Sequence, residues 1–145
     1  MIFISYAKED ADYAHRLFAE LHEAGLEPWM DKPPSPYSHL GLQIGQRWRP
    51  VIEMKIRSAS RIVLILTPTS VVKRGFVQNE FRLALELMSS LPQDDVLVLP
   101  ILSEELNPPN LRVGNIELSD IQWGVVAFDE IPQFVAQIAN RFGGQ

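Results

Sequence analysis

The chain has 145 residues, of which 46% are hydrophobic and 21% charged, with a net charge of −5 and no cysteine. That length supports one domain with its own core, and the lack of cysteine removes disulfide frameworks, thiolate nucleophiles and cysteine-based zinc sites. The acidic balance argues against a nucleic-acid polymer as partner, since phosphate contacts draw on clustered Lys and Arg, and no apolar run is long enough for a membrane span.

In chain order, Met1 leads directly into Ile2-Phe3-Ile4-Ser5-Tyr6, an apolar run suited to a strand buried on both faces. No basic stretch precedes it, so no signal peptide is read and a cytoplasmic protein is expected. Asp10 or Asp12 can cap a helix whose core positions are Ala14, Leu17, Phe18, Leu21 and Ala24, with Gly25 as its stop. Leu26 to Asp31 reads as a second strand, and Pro28 within it points to a sheet edge. Residues 32–41 form a proline-rich loop, long for a compact domain and therefore a candidate functional segment. A helix is expected from about Trp48 to Ser58, with Pro50 in its first turn and Trp48, Val51, Ile52 and Ile56 facing the core.

Arg61-Ile62-Val63-Leu64-Ile65-Leu66 has the continuous β-branched character of a central parallel strand. Thr67 to Ser70 ends it, and a linker leads to a helix over 75–88. Val96 to Ile101 reads as a fourth strand, residues 102–120 as irregular loop, and Ile121 to Val126 as a fifth strand. Ile131, Phe134, Val135, Ile138, Ala139 and Phe142 then repeat at helical spacing. Strands alternating with helices imply an α/β, flavodoxin-like doubly wound five-stranded parallel sheet, order 2-1-3-4-5, with helices on both faces. Ligands in such folds sit at the carboxyl ends of the strands, at the switch point between the first and third. Here those ends are Ser5-Tyr6 and Thr67-Ser70.

At 100° per residue, the 75–88 helix places Phe76, Val77, Phe81, Leu83, Ala84, Leu85, Leu87 and Met88 on one apolar arc, and Glu80 falls inside it. A carboxylate there must be paired, protonated or facing a pocket, because an unpaired buried charge costs several kcal/mol. Two readings stand side by side: a structural glutamate neutralised by a nearby cation, or a functional carboxylate at the crevice. Elsewhere, His15, His22 and His39 have no metal spacing, no Gly-x-Ser-x-Gly elbow is present, and neither a P-loop nor Gly-x-Gly-x-x-Gly occurs. A phospho-receiver site would need an aspartate closing the third strand, where Thr67-Pro68 stands.

The segments Ile2 to Tyr6 with Asp10, Gly25 to Asp31, Ser60 to Thr67, Ser70 before Phe76-x-x-x-Glu80, and Ile121-Gln122-Trp123 together resemble a TIR domain of the bacterial type. Many TIR domains cleave the nicotinamide-ribose bond of NAD+ with one glutamate, four positions after a tryptophan. The resemblance implies Glu80 as that catalytic residue and Phe76 in the tryptophan position. Ser5, Tyr6, Trp29, Asp31 and Ser70 are expected to line the substrate site, with Trp29 either stacking on nicotinamide or packing the sheet edge. NAD+ would be substrate, and no cofactor or metal is implied. The loop matches one through which related domains contact one another, so Tyr37, His39 and Leu40 are expected in a head-to-tail assembly of TIR protomers. Residues 1–145 read as a single TIR domain, expected to be N-terminal in a longer protein with a C-terminal sensor, for instance for a cyclic nucleotide, acting in antiviral defence. The alternative is a non-enzymatic TIR-TIR signalling module. A nucleotide-binding relative of deoxyribosyltransferases is a third reading.

Overall fold

The computed structural model describes residues 1–72, 76–92, 97–107, 110–114 and 116–143; the side chains of residues 72 and 76–78 are not among those described. Five strands form one parallel sheet: β1 (Ile2–Ser5), β2 (Pro28–Trp29), β3 (Arg61–Leu66), β4 (Val98–Leu102) and, after a hairpin, β7 (Gly124–Val125). Their order, β2-β1-β3-β4-β7, is the expected doubly wound topology, with β2 at an edge. Phe3 pairs with Trp29 and Ile62, and Ser5 with Leu64. The expected first residues Gly75 and Val96 lie outside the described residues.

Pro100 stands inside β4, where a proline would ordinarily cost a ladder bond. Ser103 N–H donates to Leu66 O (3.0 Å) and Val126 N–H to Leu102 O (2.7 Å), so alternation turns Pro100 toward the β7 side. Pairing with β7 begins only at Ile101, so the missing N–H falls where the described ladder has no bond to lose.

Side-chain alternation divides the core into two. Ile2, Ile4, Met30, Val63, Ile65 and Ile101 pack under α1 (Ala11–Glu23) and α5 (Ile131–Phe142). Phe3, Trp29, Ile62, Leu64, Leu66 and Val98 pack under α2 (Trp48–Ser58) and α4 (Phe76–Met88). The helical periods place Leu17, Phe18 and Leu21 of α1, and Ile131, Val135 and Ile138 of α5, in the first of these cores. Gly25, at φ 81°, turns the chain from α1 into β2 in a conformation that costs a side chain strain.

Several local expectations need correction. Asp10 stands at the N-cap of α1 without a capping hydrogen bond, because its carboxylate is engaged by Thr67 instead. Ala24 is exposed because α1 has already ended before it. Trp48 is 48% exposed rather than buried, since the first turn of α2 continues a wholly exposed stretch over 43–50; the Arg49 guanidinium lies 5.2 Å from its ring centre. Thr67 to Ser70 does more than close β3, since Pro68–Val72 forms a short helix, α3; the rest of the expected linker, residues 73–75, lies outside the described residues. Within the span read as irregular, β5 (Arg112–Val113) and β6 (Ile116–Glu117) make an antiparallel ribbon clamped by an Arg112–Glu117 ion pair at 2.5 Å. The fifth strand is shorter than the apolar run that announced it.

Candidate active site

The switch point is built from three chain segments. β1 delivers Ser5 on the α2/α4 side, one side-chain period beyond Phe3. α4 lowers Glu80 onto Ser5, and Asp31, two residues past the end of β2, brings a second carboxylate whose charge reaches Glu80. Ser5 is 1% and Glu80 9% exposed, and Ser5 Oγ donates to Glu80 Oε2 at 2.5 Å. Among the described residues no Lys or Arg forms an ion pair with Glu80.

Burial pushes the Glu80 carboxyl up to about 8, with the Ser5 hydroxyl opposing that rise and the negative charge of Asp31 adding to it. Tyr6 O–H donates to Asp31 Oδ1 at 2.6 Å, and the Lys32 N–H donates to the same oxygen at 2.9 Å. Burial first, and then its bond to Asp31, push the Tyr6 phenol far above its usual range, so it stays a donor. A groove of about 280 Å³ runs between α2 and α4, with Ile52, Ile56 and Leu83 as its apolar lining, Glu80 in its wall, and Glu53, Arg57, Arg82 and Glu86 around it. A buried carboxylate with one hydrogen-bond donor, opening onto a groove, can stabilise developing positive charge or accept a proton near neutral pH.

The remaining expected site residues fall elsewhere. Trp29 is 6% exposed, stacks on Phe3 with ring centres 5.5 Å apart, and has Lys55 Nζ 5.7 Å from its ring. Its position is that of an edge-packing residue, one period below the Ser5–Asp31 level. Ser70 is fully buried and its hydroxyl is committed to the backbone: Thr67 N–H donates to Ser70 Oγ (2.8 Å), and Ser70 N–H returns a bond to Thr67 Oγ1 (3.0 Å). That exchange is a capping box, with Pro68 at the first helical position and Ser70 in the place usually held by Glu or Gln. Thr67 Oγ1 in turn donates to Asp10 Oδ2 at 2.7 Å. Asp10, Thr67 and Ser70 thus brace the crevice without facing it. The Phe76 side chain, and Val77 beside it, lie outside the described residues.

The proline-rich loop closes on its own base. Leu42 N–H donates to Asp31 O (2.9 Å), and a Cβ added to Gly41 would lie 2.5 Å from that oxygen and 2.3 Å from Pro33 Cδ. Tyr37 turns inward, with ring centres 5.5 Å from Phe18 and 4.4 Å from His22, whereas His39 and Leu40 stay exposed. Ile44, at 107% exposure, and Trp48 protrude further than Leu40, although the sequence assigns Trp48 to the core and gives Ile44 no place. Only Ile44 carried a signal, as an apolar residue beside Gly45 and Gln46 outside any amphipathic period.

No group of three His, Asp or Glu that could hold a metal ion, and no helix long and apolar enough to cross a membrane, is found among the described residues. No curated protein matches the chain. The family model of the TIR domain matches residues 2–138, nearly the whole length, and the five-stranded parallel sheet agrees with it. The chain belongs to the TIR domain family, whose members generally signal by interacting with other TIR domains.

Proposed function

We propose that this TIR domain hydrolyses the bond between nicotinamide and ribose in NAD+, with Glu80 as its catalytic residue. The observation that carries the reading is the buried Glu80 carboxyl, held by Ser5 at the carboxyl ends of β1 and β3 and without a cation among the described residues. Nicotinamide leaves as a neutral base with the electron pair of the C1′–N bond, so the step needs no general acid. Positive charge gathers on the ribose, and a carboxylate in a partly desolvated crevice stabilises it more strongly than it would in water. Water then adds to C1′, and its proton passes to Glu80, whose affinity for protons is already raised. Ser5 orients the carboxylate. NAD+ is substrate here, and no bound cofactor enters the scheme.

Exposed Leu40, Ile44 and Trp48 support a second element of the reading, that activity depends on assembly with other TIR protomers through the 32–48 region. A domain that signals by contact alone would use the same surface and leave Glu80 idle. Concentrated protein incubated with NAD+, with and without an assembling agent, is expected to release free nicotinamide that chromatography detects. Glu80→Gln is expected to lower the rate by about a hundredfold or more. Equal release from Glu80→Gln, or none from the assembled wild type, would leave only the contact module standing. Because the ionised carboxylate is the working form, kcat/KM should rise with pH until it levels near the value of about 8 to which burial pushes Glu80.

A further inference from the structure

We propose that the groove between α2 and α4 holds the ribose–diphosphate–ribose backbone of NAD+, with Arg57 and Arg82 taking the diphosphate and Glu86 the diol of the adenosine ribose. The inference rests on the hydrolase reading of Glu80 for the reaction, and on the groove's own residues for binding.

The groove sets opposite charges in a definite order over an apolar floor. That floor is Ile52 and Ile56 of α2, both buried, with Leu83 of α4 beside them. On the α4 wall Glu80, Arg82 and Glu86 follow one another along the helix as carboxyl, guanidinium and carboxyl. At about 1.5 Å of rise per residue, Glu80 to Glu86 spans about 9 Å. The α2 wall adds Glu53 and, one turn on, Arg57. A separation of four residues favours ion pairs between Glu53 and Arg57 and between Arg82 and Glu86. Among the described residues neither pair forms, although all four side chains are exposed and free to meet. Both guanidinium groups therefore keep their N–H donors available at the groove.

A dinucleotide carries the complementary order. Each ribose offers a pair of hydroxyl donors, and the diphosphate between them offers acceptors and negative charge. A carboxylate suits a diol, and the planar guanidinium fork suits phosphate oxygens. With the nicotinamide ribose at Glu80, the diphosphate comes to Arg82 and, from the other wall, to Arg57, and the second ribose comes to Glu86. The sugar faces then lie on Ile52, Ile56 and Leu83, where no polar group is left unpaired. At about 280 Å3 the groove is at the small end for a ligand cleft, so the adenine stays outside it and the backbone is what is read. Glu86 also sets a limit: a phosphate on the 2′-hydroxyl of that second ribose would meet its carboxylate, so NADP+ is rejected by like charge.

The test compares substrates within each variant, so that a loss of folded protein cannot imitate the result. Nicotinamide release by the full chain is followed with NAD+, with NADP+ and with nicotinamide riboside, which has no phosphate. Arg57→Ala and Arg82→Ala are each expected to raise KM for NAD+ about tenfold, to hold kcat within about twofold, and to leave kcat/KM for nicotinamide riboside unchanged. Glu86→Gln is expected to bring NADP+ about tenfold closer to NAD+ in kcat/KM. An unchanged KM for NAD+ in both arginine variants overturns the diphosphate site, and so does an equal loss on the riboside. A wild type that cleaves NADP+ as readily as NAD+, or a preference that survives Glu86→Gln, overturns the place given to the second ribose. Binding is read separately by calorimetry with ADP-ribose on Glu80→Gln, where adding Arg57→Ala or Arg82→Ala should weaken it about tenfold. Arginine-dependent binding of ADP-ribose in a chain that releases no nicotinamide sinks the hydrolase reading and keeps the groove. Absence of ADP-ribose binding overturns the groove itself.

Discussion

The two faces of the sheet are covered by helix pairs of similar amphipathic character, yet only one is sealed. Under α1 and α5 the sheet offers Ile2, Ile4, Val63, Ile65 and Ile101, and the helices answer with Leu17, Phe18, Leu21, Ile131, Val135 and Ile138. Tyr13, buried there, donates to Val126 O at 2.6 Å, and burial first, with the charge of Glu130 adding to it, pushes its phenol far above the usual range. Under α2 and α4 the same arrangement holds from Ile62 to Leu66, but at the carboxyl end the face admits Ser5 and Glu80. On the α1 side the apolar packing ends in the hydrogen bond from Thr67 to Asp10; on the other the last layer is exchanged for a buried carboxyl group and one hydroxyl. That exchange lowers stability locally, and a feature kept at such a cost is where function is sought.

The largest expected effect is on the sealed face. Leu17 is fully buried, so Leu17→Ala should cost roughly 2–5 kcal/mol, the lost transfer energy plus the cavity left behind. Urea denaturation at constant m measures it. A loss below ~1 kcal/mol would mean that this side can collapse around the gap, and the contrast between the faces would weaken.

Next comes the polar layer, where the expected sign reverses. In the folded chain Glu80 keeps its proton to about 8, whereas its ordinary value is 4.5, so between these the folded state binds more protons than the unfolded. Stability from this group is therefore lost as pH rises through that window, and is intact below it. Glu80→Gln retains an acceptor for Ser5 and carries no charge. It should be more stable than the wild type at pH 9 by on the order of a few kcal/mol, with the difference closing toward pH 5. Denaturation at the two pH values decides it, and equal stability at both would show that Glu80 is solvated or paired.

The sealed face was legible in the sequence because each of its elements carries a strong period. β1 and β3 are unbroken apolar runs, and α1 and α5 repeat at helical spacing. Glu80 was legible for the same reason, as a violation of a strong pattern on α4. The chain order of strands and helices then placed that violation at the switch point. What escaped was short or depended on neighbours. The α3 capping box uses Ser70 where a Glu or Gln would have announced it, and Ser70 looked like a ligand residue when it is a cap. Asp10 has the position of a cap and the bonding of a brace, a difference set by Thr67, which lies far along the chain. Trp48 left the core expected of it, since a helix's first turn can overhang the core it serves, whereas Trp29 packs on the sheet edge, one of its two expected places.

The smallest effect on stability should come from the residue that protrudes most. Ile44 stands at 107% exposure, outside both cores, and its neighbours over 43–50 are all exposed. Ile44→Asp removes no described contact, so its stability should stay within about 0.5 kcal/mol of the wild type. Association is where it should be felt, because a charge on an exposed apolar tip opposes any apolar partner that would cover it. Sedimentation over a concentration series is expected to show less self-association in Ile44→Asp than in the wild type. Tyr37→Ala offers the converse: that ring packs on Phe18 and His22, so its removal should lower the melting temperature by several degrees before it affects assembly. If instead Ile44→Asp melts early and Tyr37→Ala only dissociates, the loop lies on the domain the other way round in solution, with its tip buried and its base free.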